Sequence, residues 1–431
     1  MSETSKLSYK YIFRFWMPLA ATWLMMSVEG PLIAAIIARM AEPKLNLAAY
    51  GVAFAFALIV EAPVIMILSA ATALVQNPQS YHKLQRYTNF LNAVITVTML
   101  ILLIPQVFYV VFIEVMRLPP DVVKLTHRAL LILLVWPGAI GYRRFYQGVM
   151  IRFGFTRRVA YGTIIRLSAM SLTAMLLYTT RMVSGAYVGA AALSAGVTIE
   201  ALASRLMARD ALKILFARDN NAAGDKELTY KGITYFYYPL ILTSFLGLVI
   251  QPALTFFIGQ SLFALESLAV WPVVNSFIFI FRSMGLSYQE VAIALMGKKE
   301  ENYHRLKRFA QIIATGASGT LMVIAFTPLL LIWLQDISGL KQELASFAYL
   351  PVQILILMPA MSVWLSWQRA ILVNRRYTSP VTVATSIELL VVVLLMFVLV
   401  FYSPFTGVTA AAIALLVGRA GANGYLNLKL S

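Results

Sequence analysis

Tyr81-His82-Lys83-Leu84-Gln85-Arg86-Tyr87 returns 222 positions later as Tyr303-His304-Arg305-Leu306-Lys307-Arg308-Phe309. The echo is not isolated. Pro18-Leu19 is answered by Pro239-Leu240, Pro31 by Pro252, Pro137 by Pro359 and Thr156 by Thr378, all at offsets of 221 or 222. Matches that keep register over so long a stretch predict two copies of one structural unit, and any account of the fold has to begin from that duplication.

Composition decides what the copies are made of. The chain is 60% hydrophobic and only 12% charged, with a mean hydropathy of +0.79, whereas a soluble domain carries roughly 25% charged residues. Apolar runs long enough to cross a ~30 Å hydrocarbon core fall roughly at 15–38, 47–75, 88–113, 129–151, 159–180 and 185–208, and again at 234–259, 267–296, 309–334, 346–372, 380–402 and 406–426. The expected fold class is therefore an all-α integral membrane protein, with about twelve transmembrane helices in two six-helix pseudo-symmetric bundles.

The formal net charge of +17 is then a statement about topology. With the N-terminus in the cytoplasm, the outer ends hold only Arg39, Lys44, Arg117, Lys124, Arg128, Arg181 and Lys341, and nearly all other Lys and Arg fall inside. This asymmetry predicts a multi-pass protein of the cytoplasmic membrane with both termini cytoplasmic, and it removes any need for a nucleic-acid partner. An even number of helices per copy gives the copies the same polarity, related by an axis along the membrane normal. The expected domains are residues 1–217 and 232–431, joined by a polar cytoplasmic linker at 218–231. The first apolar run is too long for a signal peptide and lacks a small-residue cleavage site, so it is expected to be retained.

There is no cysteine, and the three histidines form no metal-binding spacing. No cofactor, metal or enzymatic constellation of nucleophile and base is expected. Repeats in a strongly hydrophobic chain instead point to a secondary transporter, whose substrate site is expected between the two repeats near the bilayer midplane.

Ionisable residues at membrane depth mark such sites, because each costs at least ~2.5 kcal/mol to insert unless it faces a cavity or a partner. Glu29 lies in Val28-Glu29-Gly30-Pro31 and Glu61 in Glu61-Ala62-Pro63. An acid beside a proline supplies a proton or Na⁺ ligand, together with a backbone free to bend. Gly30, Pro31, Pro63 and Pro252 are the expected hinges. Glu200 and Glu388 are further coupling or substrate candidates, and Arg166 and Arg282 are the intramembrane arginines. Arg166 and Glu388 are repeat equivalents. Such charges either meet across a central cleft as a gate, bind an anionic group, or pair within one lobe as structural salt bridges. Arg143 and Arg144 either line an inward vestibule or anchor the interface. The glycine- and alanine-rich runs from Gly185 and Gly407 are read as faces for close helix approach.

The two six-helix repeats, the proline-bent first and seventh helices and the acid in helix 1 resemble the superfamily of MATE exporters, polysaccharide flippases and lipid II flippases. The closest resemblance is to the progressive ankylosis protein family, through Pro18-Leu19, Leu47-Ala48-Ala49-Tyr50-Gly51-Val52-Ala53, Pro239-Leu240, Pro252, Glu266-Ser267-Leu268-Ala269-Val270 and Glu290-Val291. The resemblance implies alternating access by two lobes, and export coupled to H⁺ or Na⁺ through acids of the N-terminal lobe, where Glu29 is the matching position. It departs from the MATE pattern in carrying glutamates where aspartate is common. The resemblance to progressive ankylosis proteins implies anionic cargo such as citrate, nucleotides or pyrophosphate, which suits Arg166 and Arg282. The expected partners are a small organic solute or a lipid-linked substrate, H⁺ or Na⁺, and membrane lipid, with the protein acting as a monomer; a flippase for a lipid-linked anion and multidrug efflux of organic cations are the alternatives.

Overall fold

A computed structural model describes residues 7–180, 182–217, 228–296, 300–375, 377 and 379–430. Most of the expected linker, 218–227, and the repeat match at Thr378 lie outside the described residues. The described chain is helical throughout: α1 (Tyr9–Ser27), α2 (Glu29–Ala38), α3 (Pro43–Ile65), α4 (Ile67–Leu74), α5 (Pro78–Leu103), α6 (Pro105–Tyr109), α7 (Pro120–Ile132), α8 (Trp136–Arg152), α9 (Thr156–Thr180), α10 (Gly185–Met207), α11 (Arg209–Phe216), α12 (Tyr230–Ile258), α13 (Ala264–Leu295), α14 (Tyr303–Ala325), the single turn α15 (Leu329–Leu331), α16 (Gln342–Ile354), α17 (Met358–Asn374), α18 (Ser379–Tyr402) and α19 (Gly407–Leu430). Among the described residues, eleven helical spans are long and apolar enough to cross a membrane. The protein is an all-α, multi-pass membrane protein. The expected twelfth span, α19, has the length, but Arg419, Asn423 and its glycines dilute its apolar character.

The duplication is written into the irregularities of the backbone. A π-helical turn at Val110–Val115 recurs at Ile332–Ile337, and a 3-10 turn at Leu133–Val135 recurs at Leu355–Leu357. α7 matches α16 and α8 matches α17 in length and in the same register. Left-handed residues also recur in pairs: Glu42 (φ 48°) with Phe263 (φ 54°), and Arg117 (φ 54°) with Gly339 (φ 73°). Three of these four are not glycine, so three side chains sit in a conformation that costs roughly 1–2 kcal/mol.

The proline signals resolve differently. Pro31 has no N–H to offer the carbonyl of Ser27, four residues earlier, and α1 ends at that serine. α2 starts at Glu29. Pro63 lies inside α3, three residues before the break at Met66. α12, by contrast, runs through Pro252 without interruption, so the hinge expected there is not a break. Pro31 has Gly30 beside it to ease departure from helical geometry; Pro252 follows Gln251.

The contacts divide the chain into two compact units, Met40–Thr255 and a unit formed by Met1–Arg39 with Phe256–Ser431. These boundaries differ from the repeat boundaries, because α1 and α2 pack with the second half of the chain. Trp16 Nε1 donates to Ser287 Oγ at 2.8 Å, the Trp16 and Phe309 rings meet edge-on at 5.9 Å, and Arg305 donates to the Leu7 carbonyl. Buried Ile12 joins Tyr288, Val291, Leu306 and Trp367 in one apolar cluster. A Cβ on Gly30 would stand 2.7 Å from Ser276 Cβ, so glycine is needed there for α2 to approach α13. Within Met40–Thr255 the helices pack in the same manner. Gly196 of α10 would put a Cβ 3.1 Å from the Arg166 carbonyl of α9, and its counterpart Gly418 of α19 would put one 3.0 Å from the Glu388 carbonyl of α18. Lipid gives helices no hydrophobic incentive to associate, so such close approach through small residues supplies the packing. Leu172, Met175, Leu390 and Leu394 remain exposed on the opposite faces of α9 and α18, as lipid-facing residues do.

Candidate functional site

In the unit Met40–Thr255, four helices direct charged side chains into one buried cluster. α10 supplies Glu200, which is fully buried. Its Oε2 accepts a hydrogen bond from Arg143 Nη1 of α8 and lies 3.6 Å from Arg166 Nε of α9. Its Oε1 accepts from Gln147 Nε2 at 3.1 Å. Arg143 and Gln147 are four residues apart and so share one face of α8. Gly162, one turn before Arg166 on α9, leaves space for the carboxylate: a Cβ there would stand 3.2 Å from Glu200 Oε1.

Glu61 of α3 belongs to the same neighbourhood. It is 4% exposed, and its Oε2 is buried without a hydrogen-bond partner. The charges of Arg144, Arg143 and Arg166 act on it, Arg144 most strongly. Two residues on, the Pro63 carbonyl accepts the Tyr237 hydroxyl of α12 at 2.7 Å, and the Tyr237 ring meets Tyr87 edge-on at 5.9 Å. The cluster therefore sets Arg143, Arg144 and Arg166 against Glu61 and Glu200, a surplus of one positive charge, beside a helix break held by a tyrosine.

The unit formed by Met1–Arg39 and Phe256–Ser431 holds a second cluster. Glu388 of α18, 2% exposed, accepts from Arg419 Nε of α19 at 2.9 Å and from Nη2 at 2.8 Å. Arg419 Nη1 donates to Ser362 Oγ of α17 at 3.1 Å. Arg369, also on α17, donates to Thr385 Oγ1 at 3.2 Å. The charges of Glu388 and Arg419 act on both Arg369 and Arg282 of α13. Three arginines face one glutamate here, a surplus of two. The Nε atoms of Arg282 and Arg369 are buried without an acceptor.

The sequence candidates thus sort into three places. Glu61, Glu200, Arg143, Arg144 and Arg166 come together in one unit, and Arg282 with Glu388 in the other. Glu29 opens α2, in the first turn of that helix, where the positive end of the helix dipole favours a carboxylate. Arg166 and Glu388, expected as possible gate partners, are each engaged inside their own unit, the intralobe alternative. Arg143 is not an interfacial anchor, since it is buried at 5% exposure and pairs with Glu200. Three members escaped sequence reasoning: Gln147, Arg369 and Arg419. Arg369 and Arg419 were counted with the cytoplasmic charges, although Arg419 follows Gly418, the repeat counterpart of the close-packed Gly196. Among the described residues there is no group of His, Cys, Asp or Glu able to hold a metal ion.

No family model matches the chain. The chain likewise finds no match among the curated proteins. Solved structures do resemble it. The inward-closed lipid II flippase MurJ superposes with a TM-score of 0.68 at 12% identity, covering 96% of this chain and 87% of that one. An inward-facing multidrug resistance MATE family transporter of the MOP superfamily gives 0.64 at 14% identity, covering 99% and 95%. A MOP superfamily transporter from Pyrococcus furiosus, described as having a binding pocket of reversed polarity that suggests a different function, gives 0.60 at 14% identity, covering 97% and 94%. At these identities the likeness is one of fold, and the fold is that of the MATE transporters and the lipid II flippase of the MOP superfamily.

Proposed function

We propose that this chain is a secondary transporter that exports a small organic anion across the cytoplasmic membrane by alternating access, driven by H⁺ or Na⁺. The observation that carries the reading is the surplus of buried positive charge in both units, with Arg144, Arg282 and Arg369 forming no salt bridge among the described residues. Buried charge without compensation is costly, and an anionic substrate offsets that cost only while it is bound. Arg144 with Arg166, and Arg282 with Arg369, are the anion-binding groups in this reading. Glu61 carries the coupling ion: it is buried, lacks a partner at Oε2, and stands two residues from Pro63 near the break between α3 and α4, so protonation or Na⁺ binding there is coupled to bending. Glu29, at the break between α1 and α2, is the second coupling group.

The test is transport in liposomes holding the purified protein, with H⁺ and Na⁺ gradients imposed separately and citrate, ATP or a lipophilic cation offered in turn. Export of citrate or ATP that speeds up with an opposing gradient, and loses that response in Glu61→Gln, is the expected outcome. Transport of the lipophilic cation alone would overturn the anionic assignment. The MurJ-like fold favours one second reading, a flippase for a lipid-linked anion. Silence with every soluble solute, combined with movement of a fluorescent anionic lipid between leaflets, would establish it.

A further inference from the structure

The repeated motif that reveals the duplication does different work in its two copies. In α5 it is roofed: the helix opens with a reciprocal cap between Asn77 and Ser80, and Phe216 of α11 lies against the rings of Tyr81 at 5.5 Å and His82 at 5.7 Å. In α14 the motif borders a cavity of about 600 Å³ lined by Ser8, Tyr9, His304, Arg305 and Arg308. Among the described residues no carboxylate lines it. All five residues belong to the unit formed by Met1–Arg39 and Phe256–Ser431.

The charged residues that line this cavity are all basic, and of the two acids that precede α14, Glu300 is engaged by Arg375. His304 and Arg305 lie in the first turn of α14 and Lys10 in the first turn of α1, and neither turn contains an acid. Cations at the positive end of a helix dipole are placed against the field, so the basic side chains and both helix ends add to one positive potential. Arg305 spends one donor on the Leu7 carbonyl and retains the rest of its guanidinium fork. Ser8 and Tyr9 add hydroxyls. Along the first half of α1, Tyr11, Phe13, Phe15 and Met17 are exposed, the composition of a segment lying at a membrane interface.

We propose that this cavity is a binding site for a phosphate group, presented either by an anionic lipid headgroup or by a soluble phosphate ester. Basic side chains at i and i+4 on α14, hydroxyls at the cap and first residue of α1 and two helix N-termini match the charge and the acceptor oxygens of a phosphate. Occupancy would fasten the start of α1 to α14. The site is separate from the buried charge clusters and does not depend on what they carry.

The test uses the full chain in a neutral detergent and follows its thermal unfolding at matched ionic strength. The probes are inorganic phosphate, dihexanoyl phosphatidic acid and, as a control, dihexanoyl phosphatidylcholine. A rise in unfolding temperature with phosphatidic acid alone identifies the lipid headgroup as the source, and a rise with both phosphate probes identifies the phosphate group itself. In Arg308→Gln the apparent affinity for the effective probe is expected to weaken about tenfold, as for the loss of one charge-assisted hydrogen bond. Arg86→Gln, the counterpart in the roofed copy, should leave it unchanged. His304→Gln serves as the second variant should Arg308→Gln fail to elute as a folded protein. No response to either phosphate probe, equal response to phosphatidylcholine, or equal weakening by Arg86→Gln would each overturn the proposal.

Discussion

Arg166 with Glu200, and Glu388 with Arg419, sit on matching pairs of neighbouring helices, but the signs are exchanged. On α9 and α10 the first helix carries the cation and the second the anion; on α18 and α19 the order is reversed. The helix pairs are otherwise alike, each closed by a glycine at the same repeat position. What the two pairs share is neutralisation of a charge within the packed interface; which helix carries which sign differs between them. They differ in redundancy. Glu200 accepts from Arg143 and Gln147 and has Arg166 beside it, whereas Arg419 alone reaches Glu388 within hydrogen-bonding distance among the described interactions.

That difference can be broken experimentally. Arg419→Gln removes the hydrogen bonds that buried Glu388 accepts from Arg419 and should cost about 3–5 kcal/mol, read as a lowered midpoint of unfolding in dodecyl sulfate titrations. Arg143→Gln leaves Glu200 with Arg166 and Gln147, so its cost should be about 1.5–3 kcal/mol. Equal losses in the two variants would show that the redundancy around Glu200 has no energetic meaning. The exchange Glu388→Arg with Arg419→Glu should recover most of the loss if sign order is free.

A smaller effect sharpens the contrast between the two proline breaks. Tyr237→Phe removes the hydroxyl that the Pro63 carbonyl accepts, and should cost about 1 kcal/mol while speeding amide exchange around Met66 and leaving the Ser27 region unchanged. The smallest effect concerns a pair outside the membrane. Glu300 accepts from Arg375 at 2.7 and 3.0 Å, which holds its carboxyl below the usual carboxylate range. A depressed carboxylate contributes stability that is fully present above its ordinary pKa and is lost as pH falls through the depressed value. With the Arg375 side chain 44% exposed, solvent screening limits the pair to a few tenths of a kcal/mol. Glu300→Gln should therefore be slightly destabilising at pH 7 and neutral at acid pH.

The duplication, the spans and the acids of the buried clusters were legible because each leaves a one-dimensional trace: a repeated heptapeptide, an apolar run, a glutamate inside it. Arg419 and Arg369 left no such trace, since an arginine in or beside an apolar run reads as a topological charge until helix rotation is known. Pro31 and Pro252 look equivalent in the repeat, yet only the first accompanies a break, because the residues beside it and the contacts around it differ. The packing of α1 with the second half of the chain was equally hidden. Repeat symmetry says which helices correspond; it says nothing about which apolar surface Trp16 and Ile12 will find.

The dilution of α19 by Arg419 bears on how the chain is made. An arginine near mid-span costs ~2.5–3.5 kcal/mol on insertion scales, so Gly407–Leu430 partitions poorly by itself. Ser379–Tyr402, with the highest hydropathy of the eleven spans, precedes it by the short connection 403–406 and carries the matching Glu388. During synthesis the two should leave the translocon together as a helical hairpin, with their charges already joined. A chain halted before residue 407 would then expose Glu388 to lipid, and should be caught by membrane quality control as an orphan.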